Sequence, residues 1–243
     1  MRALLVLAIV TAAAPAHADA TDFVLPSGER VAGTRLRDLE PMAAQVERVR
    51  AAVKQALGVE IGGVPVHVLS IEDVRALHAE VGGRLPSGWQ LHGFELDGHV
   101  FVRRGLGGVS DEVLVHECLH AASRRFADEA HARGLERVVE GVTQHLTLQA
   151  LAARPRSAQL KAERNRTYVA STGFADAIAT LVGEAGLREA YLRTGFAALA
   201  ARVDAVARAR GRLLEAARVL DRGDERLALE ILTGARDGAR DLR

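Results

Sequence analysis

The sequence predicts an α+β fold, in which a small antiparallel sheet or hairpin precedes a pair of helices and the C-terminal half is mostly helical. Three observations support this prediction. Short apolar runs bounded by turn residues occur only in the first half of the chain. Helical spacing of apolar residues appears early and then dominates from residue 154 onward. No long low-complexity linker divides the two parts.

The front half begins with one helix and a mixture of short elements. Apolar residues recur every three to four positions over Leu39–Leu57, which predicts a helix. Pro65–Leu69 reads as a buried strand, and Ile71–Val81 as the helix that follows it. Gly93–Leu96 and His99–Val102 flank an Asp-Gly pair, which suits the two positive-φ positions of a type I′ turn. These last two runs are therefore predicted to form a β-hairpin.

Two helices are predicted after the hairpin. Ser110 is a suitable N-cap for the first, and Asp111 and Glu112 place acidic side chains in its first turn, where they favour the helix dipole. After a loop containing Gly134, the second runs from about Leu135 to Ala153. The rest of the chain is helical by pattern, and the predicted segments are 158–169, 174–182, 187–192, 196 onward, 213–220 and 227–235.

The first 18 residues resemble a secretory leader rather than part of the fold. Arg2 precedes an apolar run, and Ala16-His17-Ala18 forms a small-residue cleavage site. We therefore expect a signal peptide over 1–18 and a bacterial protein that is periplasmic or secreted. The mature chain, 19–243, is expected to be one domain with an α+β front (19–153), a helical back (154–243) and no stable membrane span.

Charge and cysteine content exclude some classes of protein. The chain of 243 residues carries 32 basic and 31 acidic side chains, and the leader contains one arginine and no acid. A neutral mature chain gives no electrostatic reason to expect a nucleic acid partner. Cys118 is the only cysteine, so stability cannot come from an intramolecular disulfide.

The residues with the clearest chemistry form the sequence His116-Glu117-Cys118-Leu119-His120. Two histidines four apart on a helix face the same side and can bind one divalent ion, with Glu117 beside it as a general base for water. Glu140 is the expected third ligand, because it lies 20 residues further on, on the next predicted helix. A His-His-Glu set favours Zn²⁺ and leaves one coordination position open, as a catalytic site requires.

This motif, followed at that distance by Glu140-Gly141, resembles the gluzincin metallopeptidases, the thermolysin-like group within the MA-like peptidases. The resemblance covers about 50 residues at most. It implies a zinc hydrolase that cleaves a peptide or protein substrate. It also implies that His99–Val102 is an edge strand holding extended peptide. The chain departs from the pattern at Gln144, where an acid often orients a histidine, so an amide must serve instead.

Other interpretations remain open. The histidines could be ordinary helix-surface residues, and Glu136, one turn before Glu140, could be a solvated or supporting acid. Cys118 is expected to be a small core residue, whereas Tyr168 is either a core phenol or an oxyanion stabiliser. The alternative function is a non-catalytic envelope or binding protein that retains a structural or vestigial metal site.

Overall fold

The computed structural model describes residues 23–24, 30–31, 39–61, 64, 66–80, 92–96, 98–103, 109–152 and 169–234. Its strands are β1 (Phe23–Val24), β2 (Arg30–Val31), β3 (Val66–Leu69), β4 (Gly93–Leu96) and β5 (His99–Arg103). Its helices are α1 (Leu39–Leu57), α2 (Ile71–Glu80), α3 (Asp111–Ala122), α4 (Arg124–His131), α5 (Glu136–Ala152), α6 (Val169–Val182), α7 (Glu184–Glu189), a π-helical turn (Ala190–Thr194), α8 (Phe196–Ala207), α9 (Arg212–Asp221) and α10 (Glu225–Thr233). Helices account for most of these residues beside a small sheet, so the predicted α+β class is confirmed.

The described residues form two compact units. The first unit takes the described residues up to Ala51 and those from Glu60 to Ala121, and the second takes Ala52–Val59 and those from Ala122 on. Whether the mature chain behaves as one domain stays a prediction. None of the described helices combines the length and apolar character needed to cross a bilayer.

A three-stranded sheet forms the centre of the first unit, with the strand order β3-β5-β4. The predicted hairpin is confirmed: β4 and β5 pair antiparallel, and Gly98 has a φ of +84° at the turn. The β3 strand pairs parallel with β5, with Val66 opposite Val100, so the sheet is mixed rather than purely antiparallel. The parallel pairing is accommodated because α2 lies between β3 and the hairpin in the chain.

One expectation about this sheet is wrong. The strand His99–Val102 is not an edge strand, because β5 lies between its two neighbours. Its residues His99, Val100, Phe101 and Val102 are all buried. A strand that pairs on both sides has no free backbone groups for an added strand. Among the described strands of this sheet, β4 is the edge next to β5 in the hairpin.

The second unit is a bundle of helices. Its most extensive described contact is between α5 and α6, and α9 and α10 form a helical hairpin. Phe126 of α4 packs against Tyr191 and Phe196, all three with about 1% exposure or less. The α4 helix had no counterpart in the sequence prediction, which places only a loop between the two site helices.

Candidate metal centre

The first helix of the candidate site, α3, is anchored at its N-terminus. The backbone N–H of Glu112 donates to the Ser110 hydroxyl at 3.2 Å, as the predicted N-cap requires. The Gln45 amide of α1 donates to the Val109 carbonyl at 2.7 Å and to the Asp111 carboxylate at 2.6 Å. The start of α3 is therefore held by a side-chain cap and by a second helix.

The middle of α3 is buried around most of its circumference. Leu114, Val115 and Leu119 are fully buried, and Cys118 is 1% exposed. Burial raises the pKa of the Cys118 thiol to about 12, with the Glu117 carboxylate adding to the effect and Arg50 opposing it. A thiol that stays protonated at neutral pH is neither a nucleophile nor a metal ligand, which agrees with Cys118 as a small core residue.

The two histidines of the motif lie side by side. His116 is 6% exposed, His120 is half-buried, and their Nε2 atoms are 3.1 Å apart. Two nitrogens bound to one tetrahedral zinc ion at about 2.0–2.1 Å would be roughly 3.3 Å apart. The separation of the rings therefore fits two ligands of a single ion.

Glu140 completes the group. One ligand atom from each of His116, His120 and Glu140 lies within 4.8 Å of the other two. Among the described residues, this is the one set of three or more His, Cys, Asp or Glu side chains with that geometry. Two imidazoles and a carboxylate form a donor set that binds divalent transition ions. The group can hold a metal ion.

Close packing of α5 against α6 fixes the part of α5 that carries Glu140. A Cβ atom added to Gly141 would lie 2.2 Å from the carbonyl oxygen of Ser171, so only glycine allows the helices to approach this closely. Val138, Val139 and Val142 are buried beside it. This contact supplies a physical reason for a glycine directly after Glu140.

Two other polar residues of α5 differ in their surroundings. Gln144, one turn after Glu140, is 3% exposed, so the position at which an acid was considered holds a buried amide. Glu136, one turn before Glu140, is exposed and does not belong to the group of three.

Sequence reasoning missed a contact between β4 and the proposed general base. Glu117 is 9% exposed, and its Cγ would be only 3.1 Å from a Cβ atom built on Gly93. The same Cβ would lie 3.0 Å from Val113 Cγ1 and from the Phe101 carbonyl oxygen. The first residue of the edge strand is therefore packed against the side chain of Glu117. A glycine at the start of a predicted strand was the only signal in the sequence.

Of the two tyrosines in the chain, Tyr191 alone lies among the residues that the structure describes. Tyr168 lies outside the described residues. Tyr191 is 1% exposed, and its hydroxyl lies 2.5 Å from Thr143 Oγ1 within the second unit. A phenol fixed in this way is part of the core.

Comparison of the sequence with protein-family models and with curated proteins, and of the structure with solved structures, finds no match. The geometry of the candidate site is therefore the basis for a functional proposal.

Proposed function

We propose that this protein is a zinc-dependent metallohydrolase that cleaves peptide bonds. One observation carries the proposal: the ligand atoms of His116, His120 and Glu140 converge within 4.8 Å of one another. The HExxH motif brings Glu117 into the same turn of α3. This combination resembles the gluzincin peptidases on the residues quoted above, and the resemblance supports peptide hydrolysis over other hydrolytic reactions.

Zinc is the metal that this donor set favours. Two neutral imidazoles and one carboxylate are typical of catalytic zinc sites, which keep a further coordination position open. A bound zinc ion would supply a Lewis acid that polarises a carbonyl group and makes water more acidic. His116, His120 and Glu140 would hold it.

Glu117 is proposed as the general base. Its position one residue after His116 places its carboxylate near the ion-binding group but outside it. The carboxylate would accept a proton from the attacking water and deliver it to the amine that leaves. Burial to 9% exposure keeps bulk water away from this proton.

The edge strand suggests how the substrate binds. Because Gly93 of β4 packs against Glu117, an extended peptide that pairs with the edge of β4 would run past the general base. β4, rather than β5, is therefore the proposed peptide-binding strand. The leader-like sequence over 1–18 favours a substrate in the bacterial envelope or outside the cell.

Substitution of Glu117 by Gln tests the mechanism. The variant should bind zinc with unchanged stoichiometry but lose at least a hundredfold in turnover of unfolded β-casein and of a quenched fluorescent peptide library, because the amide cannot accept the proton. Glu112→Gln, on the same helix, is the matched control and should retain activity. Turnover by Glu117→Gln equal to that of the control would refute the proposed role.

The second candidate function is a non-catalytic envelope or binding protein with a structural metal. The buried amide of Gln144 favours it, since an acid one turn after the third ligand often orients a histidine. Under this alternative, removal of zinc by a chelator unfolds the protein and neither probe is cleaved by the wild type. Cleavage that disappears with zinc and returns on its addition supports the peptidase instead.

A further inference from the structure

Two residues of β4 direct their backbone polar groups away from the rest of the sheet. The Arg103 N–H donates to the His92 carbonyl at 2.8 Å, and the residue pairs of an antiparallel ladder alternate between hydrogen-bonded and non-hydrogen-bonded. Gly93 and Glu95 therefore occupy non-hydrogen-bonded positions opposite β5. Their N–H and C=O groups face the side of β4 on which the described part of the chain supplies no further strand. An extended peptide added there would bond to these two residues.

Glu95 directs its side chain to the same face of β4 as Gly93, because successive side chains of a strand alternate between faces. That face lies against α3, since a Cβ atom built on Gly93 would lie 3.0 Å from Val113 Cγ1 and 3.1 Å from Glu117 Cγ. Glu95 follows Gly93 by two residues, or about 7 Å along the strand. It thus lies one side-chain repeat beyond the point at which β4 passes the proposed general base.

The Glu95 side chain is half-buried and is held by the hairpin itself. Its Oε1 accepts from the backbone N–H of Gly98 at 2.5 Å. Among the described residues, the carboxylate makes no other hydrogen bond and no ion pair with a lysine or an arginine. A carboxylate that is oriented through one oxygen keeps acceptor capacity at the other, so it can pair with a cation that arrives beside it.

On the basis of the peptide-binding role proposed above for β4, we propose that Glu95 is a specificity-determining residue, which selects peptides with a lysine or an arginine at one position. A substrate residue directly opposite Glu95 would direct its side chain to the same face, with the two Cβ atoms about 5 Å apart. At this spacing a long cationic side chain reaches the carboxylate, whereas an acidic side chain meets a like charge. The substrate is therefore a basic peptide, and the selected residue is two positions from the one opposite Gly93.

Charges of both signs lie near the start of β4. Burial lowers the pKa of His92, the nearby Arg103 adds to this effect, and Glu112 opposes it. A charged substrate side chain at that end would meet a cation and an anion together. Glu95 has no such cation beside it among the described residues. The preference for a basic residue should therefore be confined to the position opposite Glu95.

Peptide binding to the Glu117→Gln protein, which should hold zinc without cleaving, tests this role. The probes are fluorescein-labelled Ala-Ser peptides that carry one Lys, Gln or Glu at each position in turn, and fluorescence anisotropy gives the Kd. At one position Lys should bind about threefold more tightly than Gln, and Glu more weakly than both. Adding Glu95→Gln should abolish this difference, although the new amide oxygen can still accept from Gly98, and adding Glu95→Lys should reverse it. Glu72→Gln, at an exposed position of α2, is the matched control and should leave the preference unchanged.

The same preference before and after Glu95→Gln would overturn the proposed role, as would a series in which no peptide binds. A lower Tm for Glu95→Gln with an unchanged preference would mean that the carboxylate serves the hairpin alone. Cleavage by the wild type separates this role from the proposed hydrolysis. Equal kcat/KM for Lys, Gln and Glu peptides would sink the role of Glu95 and leave the hydrolase intact. A Glu95-dependent preference in binding without any cleavage would support the role of Glu95 while the hydrolase fails.

Discussion

At the scale of single residues, the Glu129 side chain of α4 caps the N-terminus of α8, a helix that lies much later in the chain. Its Oε2 accepts from the backbone N–H of Ala197 at 2.8 Å, and its Oε1 accepts from Arg125 Nε at 3.0 Å. Gly195 has a φ of +93°, and a Cβ there would lie 2.7 Å from the Glu129 carboxylate. The carboxylate therefore caps α8 from α4.

We expect Glu129→Ala to lower the free energy of unfolding by about 1 kcal/mol, the usual loss for a helix cap. The Ala197 N–H, with help from Arg125, holds the pKa of Glu129 below its usual range. The capping contribution is thus present at neutral pH and disappears as the pH falls through that lowered pKa. Denaturant unfolding at pH 7 and pH 3 measures it. Asp128→Ala, exposed on the same helix, should stay close to the wild type.

His67 makes a second pH-dependent contribution. Burial, with the neighbouring His99 adding to the effect, lowers its pKa to about 4. The unfolded chain gains this proton near pH 6.5 while the folded chain does not, so stability falls as the pH drops from 6.5 towards 4. We expect the loss to be roughly 2 kcal/mol, allowing for partial exposure.

His67→Phe should flatten this part of the stability profile, because a phenyl ring can keep the stacking on Phe101, whose centroid lies 4.8 Å from that of His67. His131→Gln is the control, since His131 is exposed. If stability falls equally steeply between pH 6.5 and 4 in His67→Phe and in the control, a group other than His67 causes the pH dependence.

At the scale of elements, the α5–α6 contact positions Glu140. Gly141→Ala would force a Cβ against the Ser171 carbonyl, so we expect a loss of about 1–3 kcal/mol in stability together with weaker zinc binding. Gly173→Ala, in α6, has no atom within 4 Å of the new Cβ and should be neutral or stabilising by up to about 1 kcal/mol. Thermal unfolding and zinc titration of both variants make the comparison. Equal changes in stability and in zinc affinity for the two variants would show that the close approach of α5 and α6 at Gly141 does not position Glu140.

The same elements show what the sequence can and cannot predict. Apolar spacing predicts α1 over Leu39–Leu57, which is its observed range, and the recurring Val46, Val49 and Val53 are all buried. The predicted hairpin is also observed. The sequence did not predict α4, because its eight residues carry few apolar side chains. Phe126 is the only large side chain of this helix that is buried.

Features that depend on tertiary packing could not be predicted from the sequence. The central position of β5 is set by parallel pairing with β3, and a local pattern contains no information on which strand becomes its neighbour. The group of His116, His120 and Glu140 could be predicted because helical spacing fixes the two histidines relative to each other and the glutamate lies on the next long helix.

At the scale of the whole molecule, the proposed function requires two helices to deliver three ligands to one ion. The Glu140 carboxylate is the contribution of α5, and the two histidines are that of α3. Because Glu136 lies on the same helix one turn earlier and is exposed, it provides an internal control for charge and for helix propensity.

Zinc stoichiometry of Glu140→Ala against Glu136→Ala tests the central claim most directly. Glu136→Ala should match the wild type, and Glu140→Ala should hold one ion fewer per chain after dialysis, with both variants folded by circular dichroism. Equal zinc content and equal affinity in the two variants would show that Glu140 is not a ligand, and the proposed hydrolytic centre would be wrong.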